Sequence, residues 1–440
     1  MNKIAIGLVT VVAGAMWAGQ SAKAAERPNE SDWRAMAVAN NVFALNLYKE
    51  LSKKDGNLFF SPSSIHTALT MTYAGARGNT ERQMQTVLNL HWYVLGSSAR
   101  DNGGRGRALP GRPWPQKRVH MGYADLLKEL KPGKDAGYQL HVANALWGQK
   151  GYPWLKTFLD TTGRNYGAGL REMDFKTQTE QARRTINTWV EEKTKDKIKD
   201  LLKPGVLTRD TRLVLTNAIY FKGDWASKFK EARTKPAPFH LSAGKTVKVP
   251  MMNQVAKFGY AETKDLQVLR MPYKGKELSM LVLLPRKVGD LKAAISWLTK
   301  REHARRKVLK GRGPSAAVAL AALPERKVIV SMPKFKLTLA LSLTKTLQAM
   351  GMKDAFSDAA DFSGMDGRRD LFISAAVHKA FVDVNEEGTE AAAATAVVIG
   401  ITSVAPSPPV FRADRPFLFL IRHEKTGAIL FLGRNTNPAG

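Results

Sequence analysis

Apolar positions recur at helical spacing early in the chain. In DWRAMAVANNVFALNLYKELSKKDGN (residues 32–57), Met36, Val38, Val42, Phe43, Leu45, Leu47 and Leu51 share roughly one helical face, and the Gly56-Asn57 pair is expected to end that helix. LFFSPSSIHTALTMTYAGARG reads as a strand turning into a buried helix, with Pro62 at its entry. YADLLKELK (123–131) and ARRTINTWVEEKTKDKIKDLL (182–202) predict two more amphipathic helices. The period then changes. RLVLTNAIYF, KVPMMNQ, LQVLRMPY, LSMLVLLP and KVIVSMPKFKL are strand-like runs, and a further helix, LSLTKTLQAMG, precedes FISAAVHKAFVDVNEEG. FLFLIR and GAILFLGR, joined by a polar HEKT turn, form a closing pair of strands. Strands and helices interleave irregularly, which predicts an α+β (mixed) fold with large mixed or antiparallel sheets rather than repeating βαβ units. No internal repeat is visible.

Composition changes this picture in three ways. The chain has 440 residues and no cysteine, so disulfides, thiolate metal sites and cysteine nucleophiles are excluded. Lys3, the apolar run IAIGLVTVVAGAMWAG, and Ala22 and Ala24 in small-x-small spacing predict a secretory leader over residues 1–24. The apolar run is shorter than the ~20 residues a spanning helix needs. A soluble, exported (secreted or periplasmic) domain over 25–440 is expected. The net charge of +30 attracts polyanions and acidic surfaces whatever the fold. Much of it sits in two stretches rich in Gly, Pro and Arg, 97–118 and 299–314, which show no hydrophobic period and read as surface insertions.

Catalytic signatures are missing from the sequence. There is no G-x-S-x-G elbow, no H-E-x-x-H helix and no phosphate-loop lysine behind GGRGRALPG. The eight histidines have no metal-ligand spacing, so neither an enzyme nor a metal cofactor is expected. One segment is conformationally ambiguous. EEGTEAAAATAVVIGITSVAP (386–406) combines helix-favouring alanines with strand-favouring Val, Ile and Thr.

Six segments in order, NLFFSPSSIHTALTMTYAGARGNT, LTNAIYFKGDW, MPKFKLT, AAVHKAFVDVNEEGTEAAAAT, RPFLFLI and GAILFLGRNTNP, resemble the signature segments of the serpins, a family of suicide-type serine protease inhibitors. The likeness runs from about residue 33 to 438, lapses in the two basic stretches, and suggests an inhibitory, bacterial-like secreted member. It implies a single domain of three β-sheets and about nine helices, with an exposed reactive loop over about 386–411. The ambiguous segment would then be bait in the native state and a strand after cleavage.

The resemblance also assigns residues. The hinge would comprise Glu386, Glu387, Gly388, Thr389, Glu390, Ala391, Ala392, Ala393 and Ala394, with the two leading glutamates solvated at the fixed end. Gly388 gives the backbone freedom to swing, and the alanines are small enough to pass between parting strands. Counting seventeen residues inclusively from Glu386 puts the scissile bond between Thr402 and Ser403, with Ile401, Val404 and Ala405 open as alternative bait. None is basic, so elastase-like or subtilisin-like serine endopeptidases are the expected partners, in a covalent complex with a monomeric inhibitor. Ser61, Ser64, Asn217 and His378 match the polar "shutter" beneath the sheet, and Trp225 matches the tryptophan at the "breach" where the loop enters. Asn435 departs from the family pattern, which usually has a hydrophobic residue there. The first basic stretch adjoins a helix resembling the heparin-binding helix of some serpins, so Arg105, Arg107, Arg112, Lys117 and Arg118 are candidate polyanion ligands, heparin among them. A non-inhibitory binding protein or chaperone, or an exported polyanion-binding protein, are the rival readings.

Overall fold

A computed structural model describes residues 30–91, 98–100, 106–108, 113–134, 136–167, 169–241, 244–309, 323–387 and 407–440. In chain order the elements are α1 (Glu30–Leu51), β1 (Leu58–Phe60), α2 (Pro62–Tyr73), α3 (Gly78–Val87), β2 (Ser98–Arg100), β3 (Gly106–Ala108), α4 (Gln116–Glu129), β4 (Tyr138–Gln149), α5 (Lys156–Tyr166), β5 (Leu170–Met173), α6 (Thr179–Lys193) and β6 (Leu213–Gly223). They continue through β7 (Lys235–His240), β8 (Thr246–Glu262), β9 (Leu266–Pro272), β10 (Leu278–Pro285), α7 (Leu291–Leu309), β11 (Glu325–Pro333), β12 (Phe335–Ser342), α8 (Thr344–Ala349), α9 (Ser363–Asp366), β13 (Ala375–Val384), β14 (Val410–Arg412), β15 (Phe417–His423) and β16 (Ile429–Asn435). The α+β expectation holds, with nine α-helices among the described residues.

Five strands form one sheet in the order β12-β13-β6-β4-β5, and nine form a second, larger assembly; β2 and β3 pair as a separate hairpin. The larger assembly joins what the sequence would split into two sheets. The 17-residue β8 pairs with β7 near its start, with β11 through its middle and with β9 at its end. α2 lies against the five-stranded sheet with ten of its twelve residues buried, as befits a central helix. Ser61 caps it, its hydroxyl accepting from the Ser64 N–H, and Pro62 fills a first-turn position where no N–H is needed. Phe59 stacks between Phe419 and Phe431, tying β1 to the closing hairpin β15–β16. Asn435 ends β16 opposite Phe417, fully buried, so the strand completes its ladder around a polar residue.

Three expectations need correction. The stretch from 299 is no insertion loop as far as residue 309: it is the second half of α7, with Ala294, Leu298 and Glu302 buried at helical spacing. Residues 113–118 likewise belong to the body of the protein, since Trp114 is buried and α4 begins at Gln116. The helix expected over 182–202 stops at Lys193, where the Thr194 hydroxyl bonds back to the Val190 carbonyl and Lys195 and Asp196 turn left-handed. Among the described residues, no helix is long and apolar enough to cross a membrane.

Candidate functional site

The five-stranded sheet contains a seam. β13 runs parallel to β6, in register from Ala375 opposite Val214 to Val382 opposite Phe221, whereas β12 and β4 flank this pair antiparallel. Parallel neighbours cannot be joined by a tight turn, and here the connection spans residues 224–374. A strand formed by chain turning back from β13 would run antiparallel to both members of the seam, and would therefore fit between them.

Polar side chains meet under this seam. His378 of β13, Asn217 of β6 and Asn144 of β4 stand at one register level. The Ser61 N–H donates to His378 Nε2 at 3.1 Å, so the other ring nitrogen, Nδ1, carries the proton and donates to Asn217 Oδ1. Asn217 Nδ2 donates to the Ser64 hydroxyl at 2.7 Å, which donates to Asn144 Oδ1 at 2.8 Å; the Ser61 hydroxyl donates to the Leu430 carbonyl at 2.7 Å. Burial pushes the His378 pKa down to about 3, so the imidazole is neutral. All four residues expected in this cluster are brought together. Asn144 was missed; its only signal in HVANALW is an amide within an otherwise apolar strand core.

The end of the seam is closed by the chain that leaves it. Trp225, stacked on Tyr273 at 4.6 Å, donates from Nε1 to the Asn385 carbonyl at 3.0 Å. Glu386 is not the solvated charge expected. It is 5% exposed, takes an ion pair from Lys334 at 2.8 Å, and accepts from the Thr234 hydroxyl at 2.7 Å. Burial favours its neutral form, but the hydrogen bonds from Lys334 and Thr234 outweigh this and hold its pKa below the usual range. The reason is tertiary: Lys334 immediately precedes β12, which pairs with β13 from Phe335 opposite Val384, while the turn before β7 delivers Thr234. Glu387 stays exposed, 3.9 Å from Lys222. The chain is described again from Ser407, and β14 adds parallel to β11. Gly388, Thr389, Glu390, Ala391 to Ala394 and the bait positions 401–405 lie outside the described residues.

The profile of the family described as "Serpin (serine protease inhibitor)" matches residues 38–438 of this chain. The chain belongs to the serpin family. Its curated relatives include the leukocyte elastase inhibitor of Bos taurus, 40% identical over 408 residues, and Serpin B6 of Macaca fascicularis, 41% identical over 408 residues; each alignment takes in 92% of this chain and 99% of the relative. Among solved structures, uncleaved ovalbumin superposes with a TM-score of 0.75 at 31% identity, over 92% of this serpin and all of that chain. Serpin48 of Tenebrio molitor superposes with a TM-score of 0.71 at 31% identity, over 91% of this serpin and 98% of that chain. The family is one of protease inhibitors rather than of enzymes.

Two of the candidate polyanion ligands have described side chains. Arg118 donates to both oxygens of the buried Asp32, at 3.0 and 2.8 Å, and lies over the Trp114 ring, so it is a structural residue. Lys117 is exposed on α4. Arg105 and Arg112 lie outside the described residues, and only the backbone of Arg107 is described. Among the described residues, no group of three or more His, Asp or Glu side chains is arranged to hold a metal ion.

Proposed function

We propose that this serpin is an irreversible suicide inhibitor of elastase-like or subtilisin-like serine proteases. One observation carries the reading: β6 and β13 meet as a parallel pair, and the chain leaving β13 is pinned at the mouth of their seam by Trp225, Thr234 and Lys334. The protease serine attacks the carbonyl carbon at Thr402, the bond to Ser403 breaks, the new amine leaves with its proton, and an acyl ester joins the two proteins. The freed segment then enters the seam with Thr389 leading, Glu386 and Glu387 staying at the fixed end. Insertion replaces one eight-register ladder by two, a net gain on the order of 5–10 kcal/mol if each hydrogen bond contributes about 1 kcal/mol. The tethered protease is dragged with it. A displacement of even ~1 Å of its catalytic groups costs about a hundredfold in rate, so the ester persists.

The target class rests on the small, uncharged bait residues, and the name of the leukocyte elastase inhibitor relatives agrees with it. The test is a titration against pancreatic elastase and subtilisin, with the products separated in SDS and the cleaved bond read by mass spectrometry. An SDS-stable complex cut between residues 401 and 405 is expected; turnover of the loop with no complex would sink the proposal. Export is part of the same proposal and rests on the sequence of the leader. The exported protein is expected to begin at Ala25, which N-terminal sequencing of the secreted or periplasmic fraction checks.

A further inference from the structure

Seven large hydrophobic side chains are exposed among the described residues, and three of them stand in one row. Val255 of β8, Ile329 of β11 and Val410 of β14 are register partners across adjacent strands, and they are 46%, 37% and 54% exposed. Val328, Val330 and Phe411, their neighbours along the strands, are buried, so the pleat turns one face of this end of the assembly to the core and leaves the other bare. Each residue alone is ordinary, since β-branched side chains favour strands whatever they face. Three in a row are not explained by that preference, because threonine supplies it without the exposed methyl groups.

The borders of the row are charged and polar. On one side Lys257 and Lys327 are themselves register partners, both exposed, and among the described residues neither makes an ion pair. Like charges directly opposite each other in a sheet are destabilising, and a carboxylate brought from outside removes that cost. On the other side the Ser331 hydroxyl donates to Asn253 Oδ1 at 2.7 Å, and Arg412 is paired with Asp414 at 3.4 Å. The length of the chain says what comes to this face. Thr402, the expected bait, precedes Val410 by eight residues, at most about 28 Å, and Pro408 and Pro409 stiffen the connection. A serine protease domain of about 240 residues has a radius of gyration of about 18 Å and so measures about 45 Å across. Seated on the bait, a body of that size reaches β14, with β11 and β8 following behind it at intervals of about 5 Å.

We propose that this face docks the target protease itself: with the bait in its cleft, the protease lays an apolar patch bordered by carboxylate on Val255, Ile329 and Val410, and the carboxylate meets Lys257 and Lys327. The assignment rests on the inhibitor reading above and deepens it. The loop selects a protease by its cleft, and the face selects among proteases of like cleft by their surface, chiefly through the rate of encounter.

The test follows loop cleavage of the full chain by pancreatic elastase, read by mass spectrometry as cutting at 401–405. That rate is defined whether the product is a trapped complex or a nicked chain. Val255→Thr combined with Ile329→Thr keeps β-branching on strands that do not carry the loop, and should slow cleavage about fivefold while the melting midpoint of the free serpin stays the same. Lys257→Ser combined with Lys327→Ser should slow it about threefold at low ionic strength and leave it unchanged in about 1 M salt, where the screening length is about 3 Å. A benzophenone on Val255→Cys, in a chain with no other cysteine, should cross-link to elastase whose catalytic serine has been dehydrated, which grips the loop without cutting it. An unchanged rate in the threonine pair, or cross-linking to a second serpin copy, would overturn the face. A lowered melting midpoint in that pair would assign the row to cover by the chain's own segments instead. A rate unchanged or raised in the serine pair at low salt would remove the carboxylate. Cleavage slowed by the threonine pair with no complex formed by any variant would sink trapping and leave the face standing.

Discussion

Single residues hold this serpin shut, and two of them titrate usefully. Glu386 has a depressed native pKa, so its contribution is present above the ordinary carboxylate range and is lost as pH falls through the native value. Lys334, raised chiefly by the hydrogen bond it donates to Glu386, keeps its share until pH climbs through its own native value. Glu386→Gln should therefore cost about 1–2 kcal/mol at pH 7, discounted because the Lys334 side chain is 40% exposed, and less at pH 3. Denaturant unfolding at the two pH values checks this. The buried histidines act in the same direction. Burial lowers His66 and His120 to about 4 and His378 to about 3, so the native state favours them neutral. Their contribution is complete above about 6.5 and drains away below it, by about 1.4 kcal/mol per pH unit for each group. Stability should already fall between pH 6.5 and 5, before carboxylates titrate, and His378→Gln should flatten that slope. Ser61, Ser64, Asn217 and His378 were legible as a set through family motifs. Asn144, Thr234 and Lys334 were not, because nothing in their local sequence tells that distant strands bring them to the same place.

At the scale of elements, the sequence marks helices whose apolar stripe is clean and misjudges those whose stripe is masked. α1 and α2 are read correctly because Met36, Phe43 and Leu47, or Ile65, Ala68 and Leu69, recur at helical spacing. In α7 the stripe of Leu291, Ala294, Leu298 and Glu302 is obscured in the sequence by the charge-rich run KREHARRK, so its second half looks like a loop. α6 was drawn too long because polar residues after Lys193 continue a helical composition while their backbone turns away. The element that matters most is the seam. Ile219 and Ala380 are register partners across it, buried, with side chains on one face. Adjacent strands bring such Cα atoms within the range a disulfide spans, and the chain has no other cysteine. The double variant Ile219→Cys, Ala380→Cys, when oxidised, should be cleaved by elastase without forming an SDS-stable complex, and a reductant should restore trapping. Equal trapping in both redox states would show that insertion uses another path.

For the whole molecule, the decisive quantity is the free energy difference between the sheet as it stands and the sheet with one more strand. Under the proposed mechanism the native arrangement would persist because the loop's fixed end is pinned and the polar cluster beneath the seam is satisfied, a kinetic trap rather than a minimum for the cleaved chain. Thermal unfolding followed by circular dichroism should show the loop-nicked protein melting at least ~10 °C above the intact one, consistent with several kcal/mol gained on insertion. An unchanged midpoint would mean that no energy is stored. The net charge of +30 acts at this scale as well, steering anions toward the surface.

By itself the sequence determined the family and the mixed architecture, because those are written in contiguous motifs and in local periodicity, and its motifs named Ser61, Ser64, Asn217 and His378 as a set that the structure brings together. Only the tertiary structure decided that β6 and β13 meet as a parallel pair and that Glu386 is buried on Lys334 and Thr234. The physical reason is the same in each case: strand adjacency, burial and hydrogen-bond partnership are set by residues tens to hundreds of positions apart, and no local pattern encodes which of them will meet.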